Sequence, residues 1–258
     1  MLAKLFPNSL LLASAGGSGL VYAFQHSTAP GKAILFLLFV ASIFSWSVMV
    51  TKWRMLQVAQ RQRRNFLDRF RADRQPLTLY SEQARFDGTP IFSIYRAGCK
   101  ELTLQLLGSQ EVDETFRGRL ESAPKISPSQ MRLVTTAMER AVGETALRLE
   151  SRMILLATAV SGAPFLGLLG TVWGVMDTFG DVAAAGSANL AAMAPGVSAA
   201  LITTVTGLLV AIPAMFGYNY LVTTLRAMIV ELDNFAAELS SEFEHKYVDH
   251  GSPVRSWR

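Results

Sequence analysis

The chain has 258 residues, of which 50% are hydrophobic and only 17% are charged. Soluble domains usually carry about 25% charged residues, so this composition favours membrane spans separated by aqueous segments over a single soluble domain. The formal net charge is only +4, and no basic run is interleaved with aromatic residues, so nucleic acid is not an expected partner. Cys99 is the only cysteine, which excludes an intrachain disulfide and disfavours a cysteine-based zinc site.

Three uncharged stretches are long enough to cross the hydrocarbon core of a membrane, which takes about 20 residues. The predicted transmembrane helices cover residues 31–52, 153–180 and 197–222. Pro195 is followed by glycine, which is a turn signal, so a periplasmic loop is predicted over residues 181–196.

Basic residues beside the spans predict the orientation of the chain. Eight Lys and Arg residues lie within residues 52–74, whereas Lys4 and Lys32 precede the first span and the predicted loop between the second and third spans has none. By the positive-inside rule, the N-terminus lies outside and the C-terminus inside. Residues 53–152 then form a cytoplasmic domain, and residues 223–258 a cytoplasmic helix and tail.

Residues 1–30 contain a short apolar run with one lysine, which weakly resembles a signal peptide. Gly16-Gly17 and the lack of a clean cleavage site favour instead an interfacial helix on the periplasmic face.

The cytoplasmic segments are predicted to be helical. The first span continues beyond Lys52 with apolar residues near helical spacing. Ser127 and Gln130 form an S-x-x-Q capping box, with Pro128 at the first helical position. From there we predict one helix from Pro128 to about Met176, and the third span also continues into the tail. These long helices should pack on each other or on copies of themselves, so the predicted fold is an all-α membrane protein with three transmembrane helices and long cytoplasmic helical extensions.

The cores of the three predicted spans contain no Asp, Glu, Lys, Arg or His. Proton relays inside membranes are built from such residues, so this chain cannot supply one alone and would need a titrating group from another subunit. The phosphate-binding pattern G-x-x-x-x-G-K is missing, and the three histidines share no metal-ligand spacing. We therefore expect no metal, no cofactor and no enzymatic activity.

Small residues and threonines form a stripe on one face of the second span and another on the third. Stripes of this kind let helices approach closely in lipid, and packing alone is one interpretation of them. A proline within the second span is expected to kink its helix. The candidate helix-packing residues are Pro164, Gly167, Gly170, Gly174 and Gly207.

The polar positions of these stripes are candidates for an ion pathway. Thr171, Thr204 and Thr203 are the candidate pore-lining residues. A hydroxyl bonded back to the carbonyl four residues earlier is the alternative for each threonine, and it is favoured more for Thr203 and Thr206.

Two carboxylates, Asp177 and Asp181, lie where the second span should meet the outer surface. They are interpreted either as solvated loop carboxylates or as a charged ring at the mouth of a pore.

Several segments resemble the TolQ/ExbB/MotA proton-channel family. APFLGLLGTVWGVMDTF (163–179) and APGVSAALITTVTGLLVAIPAMFGYN (194–219) are similar to its second- and third-helix signatures. SIFSWSVMVTKWRML (42–56) and ELDNFAAEL (231–239) are closest to the TolQ type. MotA-type stators have four spans, so three spans also favour the TolQ/ExbB branch.

The resemblance implies an inner-membrane homopentamer whose second and third helices line a pore. That pore would hold the helices of a dimeric TolR/ExbD-type single-span partner, whose intramembrane aspartate couples proton entry to work on the cell envelope. Thr171 and Thr204 match the family's pore threonines and would face this aspartate.

Ala199 stands where the family usually has a glutamate, so a Na⁺-driven version of the motor stays open beside the favoured H⁺-driven one. A passive membrane scaffold or assembly subunit is the alternative from another class. An autonomous transporter is disfavoured, because three spans without internal repeats or a buried charge provide no alternating-access machinery.

Overall fold

A computed structural model describes residues 24, 27–73, 75–84, 86, 88–110, 112, 115–186 and 189–249. The interfacial helix predicted within residues 1–30 lies almost entirely outside these residues. The helices in chain order are α1 (Ala29–Ala72), α2 (Thr78–Ser81), α3 (Pro90–Leu107), α4 (Phe116–Ser122), α5 (Pro128–Glu150), α6 (Met153–Ala185) and α7 (Leu190–Tyr247). Within the described part of the chain, the β-structure consists of one isolated bridge between Ile126 and Val248.

Three stretches have the length and composition needed to cross a membrane: Ala29–Ala72, Pro128–Ala185 and Leu190–Tyr247. The predicted all-α class with three membrane-spanning helices is therefore confirmed. Helices α1 and α7 also continue well past their apolar parts, to Ala72 and Tyr247, as predicted. The capping box at Ser127 is present, with both of its reciprocal hydrogen bonds formed.

Helices α5 and α6 are separate, so the prediction of one helix from Pro128 to about Met176 is wrong. Two residues interrupt the helix, and the second, Arg152, has a φ of 66°, in the left-handed region. Lys52 Nζ donates to the carbonyl oxygen of Leu149 at 2.8 Å and so satisfies a carbonyl that loses its partner when a helix ends. The positive charge of Lys52 also suits the negative end of the dipole of α5.

The predicted loop of residues 181–196 is too long. Helix α6 continues to Ala185, and α7 begins at Leu190. The Oδ1 atom of Asn189 accepts a hydrogen bond of 3.0 Å from the backbone N–H two residues on, which caps the start of α7. Pro195 lies inside α7 rather than in a turn. Proline has no backbone N–H, so one hydrogen bond is lost at this position near the start of the helix.

The chain divides into two compact units. The first, which we call the membrane unit, comprises the described residues within 1–51 and 152–220, and the second, the extramembrane unit, comprises those within 52–151 and 221–258. In the membrane unit Ile34 and Leu38 of α1 pack against Ala163 of α6 and Ala211 of α7. All three helices therefore share one core.

The extramembrane unit has an aromatic core. Its rings lie 5.4–6.0 Å apart between centroids, mostly edge to face, an arrangement that favours aromatic pairs beyond their area. The residues are Phe66, Phe70, Phe86, Phe92, Tyr95 and Phe235.

Thr135 of α5 also hydrogen-bonds to Ser240 of α7 at 3.0 Å, so these two long helices pack on each other within one chain.

Burial keeps the polar groups of this core neutral. It raises the pKa of the fully buried Cys99 thiol well above its usual value, and that of Tyr247 to about 12. The Tyr95 hydroxyl donates to the carbonyl of Pro76 at 2.7 Å, and burial also raises its pKa. A thiol held in this state is unreactive, so Cys99 acts as a small core residue.

Leucine at Gly98 should destabilise the extramembrane unit. A Cβ atom there would lie 2.6 Å from Met138 Sδ and 3.3 Å from the ring of Phe243. We expect Gly98→Leu to lose about 1–3 kcal/mol through overpacking, measured as a lower thermal unfolding midpoint in detergent. Gly143→Leu is the matched control, because nothing lies within 4 Å of a Cβ at Gly143. Equal midpoints for the two variants would contradict the described packing of α3.

Candidate functional site: a hydroxyl cluster between two membrane helices

Helices α6 and α7 approach each other so closely that glycine backbones touch the facing helix. A Cβ atom added to Gly167 would lie 2.9 Å from the carbonyl oxygen of Thr203 and 3.0 Å from the Cα atom of Thr204. One added to Gly207 would lie 2.6 Å from the carbonyl oxygen of Ala163. Real Cβ atoms do not come this close, so glycine is required at both positions for the helices to keep this separation.

The other predicted packing residues lie along the same helix pair. A Cβ atom on Gly170 would be 2.5 Å from Thr203 Oγ1, and one on Gly174 would be 2.8 Å from Ala200 Cβ. Pro164 lies inside α6. The contacts of the four predicted glycines are thus between two helices of the same chain.

Three threonine hydroxyls meet two backbone carbonyls at this approach, and we call the group the hydroxyl cluster. Its members are the hydroxyls of Thr171, Thr203 and Thr204 and the carbonyl oxygens of Gly167 and Ala200. The hydroxyls of Thr171 and Thr204 hydrogen-bond to each other. Thr203 Oγ1 lies 3.0 Å from Gly167 O and 2.7 Å from Ala200 O. Gly167 O also accepts from Thr204 Oγ1 at 3.1 Å, and Ala200 O from Thr171 Oγ1 at 3.1 Å.

The hydroxyl cluster has more hydrogen-bond contacts than hydroxyl protons available to donate. Each hydroxyl has one proton to donate and two lone pairs that can accept. The pattern of bonds can therefore change by rotation of the hydroxyl groups, without movement of a helix. The cluster can donate to a carboxylate, accept from a protonated carboxyl group or provide oxygen ligands to a cation. Because no member titrates near neutral pH, it cannot itself take up or release a proton.

The three threonines are not equivalent. Thr203 is 1% exposed, so within this chain it lies between the helices rather than on an open face. Thr171 and Thr204 are half-buried, which leaves each partly accessible. Thr171 precedes Ala185 by as many residues as Thr204 follows Leu190, so their hydroxyls share one level of the helix pair.

The alternative of bonding back along the helix accounts for some threonines and not others. Thr206 Oγ1 donates to the carbonyl of Ile202, and Thr178 Oγ1 to that of Gly174, both at 2.8 Å. For these two residues the local bond is sufficient. Thr171 bonds both back to Gly167 and across to Ala200, and Thr204 bonds across to Gly167. The sequence pattern alone does not distinguish these cases.

The two aspartates predicted at the outer end of the second span lie on a helix rather than in a loop. Asp177 is half-buried and Asp181 exposed, and both belong to the last turns of α6. Ala199 is 3% exposed and borders a cavity of about 20 Å³ that Thr178 and Thr203 also line. That volume suits about one water molecule, and the rest of the lining includes glycine and alanine residues of both helices, α6 and α7.

Two features of the membrane unit were not predicted from the sequence. The carbonyl oxygens of Gly167 and Ala200 belong to the cluster, but backbone atoms leave no residue-type signal. Ser45 of α1 is 6% exposed, and its hydroxyl has no hydrogen-bond partner among the described residues. Helical spacing could have placed Ser45 on the buried face of α1, since it follows Leu38 by two turns on the side that also carries Lys52.

Comparison with known proteins identifies relatives over most of the chain. The sequence profile of the MotA/TolQ/ExbB proton channel family matches residues 107–234. The Tol-Pal system protein TolQ of Haemophilus influenzae is 33% identical over 221 residues, which cover 84% of this chain and 90% of that protein. TolQ of Pseudomonas aeruginosa is 32% identical, covering 83% and 88%. The biopolymer transport protein ExbB of Xanthomonas campestris pv. campestris is 42% identical over 129 residues, covering 50% and 49%.

Leucine at Gly167 should separate α6 from α7. Its Cβ would meet backbone atoms of the facing helix, which cannot rotate away as a side chain can. We expect Gly167→Leu to lower the thermal unfolding midpoint in detergent, by an amount equivalent to about 1–3 kcal/mol or more. Gly162→Leu, in the same helix, is the matched control because nothing lies within 4 Å of a Cβ there. A midpoint that falls equally in both variants would mean that the close approach does not stabilise the protein.

Proposed function

Since the chain belongs to the MotA/TolQ/ExbB proton channel family, we propose that it is the ring-forming subunit of an ion-driven motor that works on the cell envelope. The chain is a multi-pass protein of the bacterial inner membrane. Its relatives support the broader function of a proton-channel subunit in energy transduction rather than an enzyme. The ring, the partner and the route of the ion are the finer parts of the proposal.

The hydrogen-bonded pair of Thr171 and Thr204 is the observation that carries the proposal. This pair joins α6 and α7 at one level, is partly accessible, and lacks any ionisable member. A carboxylate in lipid is costly unless polar groups stabilise it. Hydroxyls can do so in both protonation states, by donating to the ionised form and accepting from the protonated form. The pair therefore suits a carboxylate brought by another chain.

We infer that this carboxylate comes from a TolR/ExbD-like single-span protein in the centre of a homopentamer. In that arrangement α6 and α7 of each subunit face the pore, and the partner's carboxylate passes the threonine pairs in turn. Asp177 and Asp181 would lie towards the outer end of the pore. Protonation from the outside and release to the inside would then couple ion flow to movement of the partner.

H⁺ is the favoured ion, and Na⁺ is the second candidate. The observation that favours Na⁺ is the number of oxygen atoms around the Thr171 hydroxyl. The hydroxyl oxygens of Thr203 and Thr204 and the carbonyl oxygens of Gly167 and Ala200 all lie within 3.5 Å of Thr171 Oγ1. Backbone carbonyl oxygens are among the groups that coordinate Na⁺ in membrane transporters. Ala199 adds no carboxylate to the proton route. H⁺ remains favoured because the partner's carboxylate is a sufficient proton carrier.

Valine at either accessible threonine should impair ion-driven function without preventing assembly. Thr171→Val and Thr204→Val keep the side-chain shape but leave the partner's carboxylate short of one hydrogen bond, at a cost of about 1–3 kcal/mol. We expect ion flux into proteoliposomes holding the chain with its co-expressed single-span partner to fall about fivefold to a hundredfold. Native mass spectrometry of the same samples should show intact complexes.

The matched control for these variants is Thr206→Val. The Thr206 hydroxyl bonds only along its own helix to Ile202, so we expect ion flux close to that of the wild type. Small, equal effects at all three positions would support a passive scaffold instead. Varying Na⁺ at fixed pH, and pH at fixed Na⁺, identifies the ion that drives flux.

Reporter fusions should show on which side of the membrane the C-terminus and the segment between α6 and α7 lie. Because basic residues follow the first span and are missing from the short segment between α6 and α7, the positive-inside rule places that segment outside. Green fluorescent protein after Arg258 should fluoresce, and alkaline phosphatase inserted at Ala185 should be active. An active alkaline phosphatase after Arg258 would overturn the proposed orientation.

A further inference from the structure

An apolar groove runs between α1 and α7 on the surface of the membrane unit. Its volume is about 520 Å³, and its lining includes Phe36 and Phe39 from α1 and Ile202 and Leu209 from α7. Phe36, Phe39 and Leu209 are 65%, 63% and 61% exposed, so much of this apolar surface is uncovered within one chain. The groove is separate from the hydroxyl cluster.

The groove has the depth of one leaflet of a bilayer. It extends along α1 from Lys32 to Ser42, which is about 15 Å at 1.5 Å per residue. The hydrocarbon core of a bilayer is about 30 Å thick, so the groove ends near its middle. A helix from a second copy of this chain would continue through the other leaflet, whereas one acyl chain would end where the groove ends.

The shallow end of the groove carries a positive charge. Lys32 is exposed and lies in the first turn of α1, where the helix dipole adds to its positive potential. The hydroxyl of Thr206, deeper in the groove, is bonded to its own helix, so this wall presents mainly apolar atoms. A cation at the level of the headgroups above an apolar channel is complementary to a lipid with an anionic headgroup.

We propose that this groove binds one anionic phospholipid, with an acyl chain between α1 and α7 and the phosphate against Lys32. The lipid belongs to the leaflet at the N-terminal end of α1, which is the periplasmic leaflet in the proposed orientation. If α6 and α7 line a central pore, the lipid lies on the outer side of each subunit and covers the exposed rings of Phe36 and Phe39.

Electron paramagnetic resonance of spin-labelled lipids tests the site in the purified full complex. The probes are chain-labelled phosphatidylglycerol and phosphatidylcholine in phosphatidylcholine nanodiscs, and the motionally restricted fraction is measured. We expect wild type to prefer phosphatidylglycerol about fivefold, which corresponds to one lysine near the membrane surface. Lys32→Gln should remove this preference, and Lys32→Arg should keep it.

Filling the groove separates acyl-chain binding from the effect of charge. Leu209→Trp should reduce the restricted fraction of both lipids, whereas Leu168→Trp should not, because Leu168 is exposed on α6 and does not line the groove. Equal restriction of the two lipids in wild type, or an unchanged preference in Lys32→Gln, would overturn the proposal. So would loss of the oligomer in Leu209→Trp without any change in lipid restriction, since a neighbouring copy would then be the occupant.

Discussion

The contact between the backbones of α6 and α7 is the constraint on which the membrane unit depends. In lipid, helices gain little from the hydrophobic effect, because the surrounding hydrocarbon is as apolar as their side chains. Their association rests on van der Waals contact and hydrogen bonds, both of which require short distances. Gly167 and Gly207 provide these distances, since neither position has room for a Cβ atom.

The hydroxyl cluster is a consequence of this approach. Thr203 reaches the carbonyl of Gly167 on the facing helix only because no side chain separates the two backbones. The hydrogen bonds in turn satisfy every hydroxyl of the cluster inside the chain, which removes the cost of polar groups in an apolar medium. The result is a polar but uncharged site whose hydroxyls are hydrogen-bonded within the chain.

Much of the fold could be predicted from the sequence because its signals are local. Hydropathy located the three spans, and the capping box at Ser127 marked the start of α5. The break at Arg152 could not be predicted, because its stabilising contact comes from Lys52, about a hundred residues earlier in the chain. Likewise, Pro195 is a turn signal in isolation, but it is tolerated in a helix whose start lies only a few residues before it.

The candidate site was predicted in outline and not in detail. Spacing placed Thr171 and Thr204 on the facing stripes of small residues, and the structure brings their hydroxyls together. Spacing favoured a bond along its own helix for Thr203, but it could not show that the same hydroxyl also reaches the carbonyl of Gly167 on the facing helix. Only the packed pair of helices shows that Thr203 is enclosed and Thr204 is accessible.

The small side chains along these stripes also lower the entropic cost of assembling the helix pair. A long side chain that becomes buried loses rotamer freedom worth up to about 2 kcal/mol, whereas glycine, alanine and proline lose essentially none. The residues at the facing positions, such as Gly174 and Ala200, have no side-chain rotamers whose freedom could be lost. The weak attractive forces available in lipid therefore have little opposing entropy to overcome, and a well-ordered interface can form from residues that individually contribute little energy.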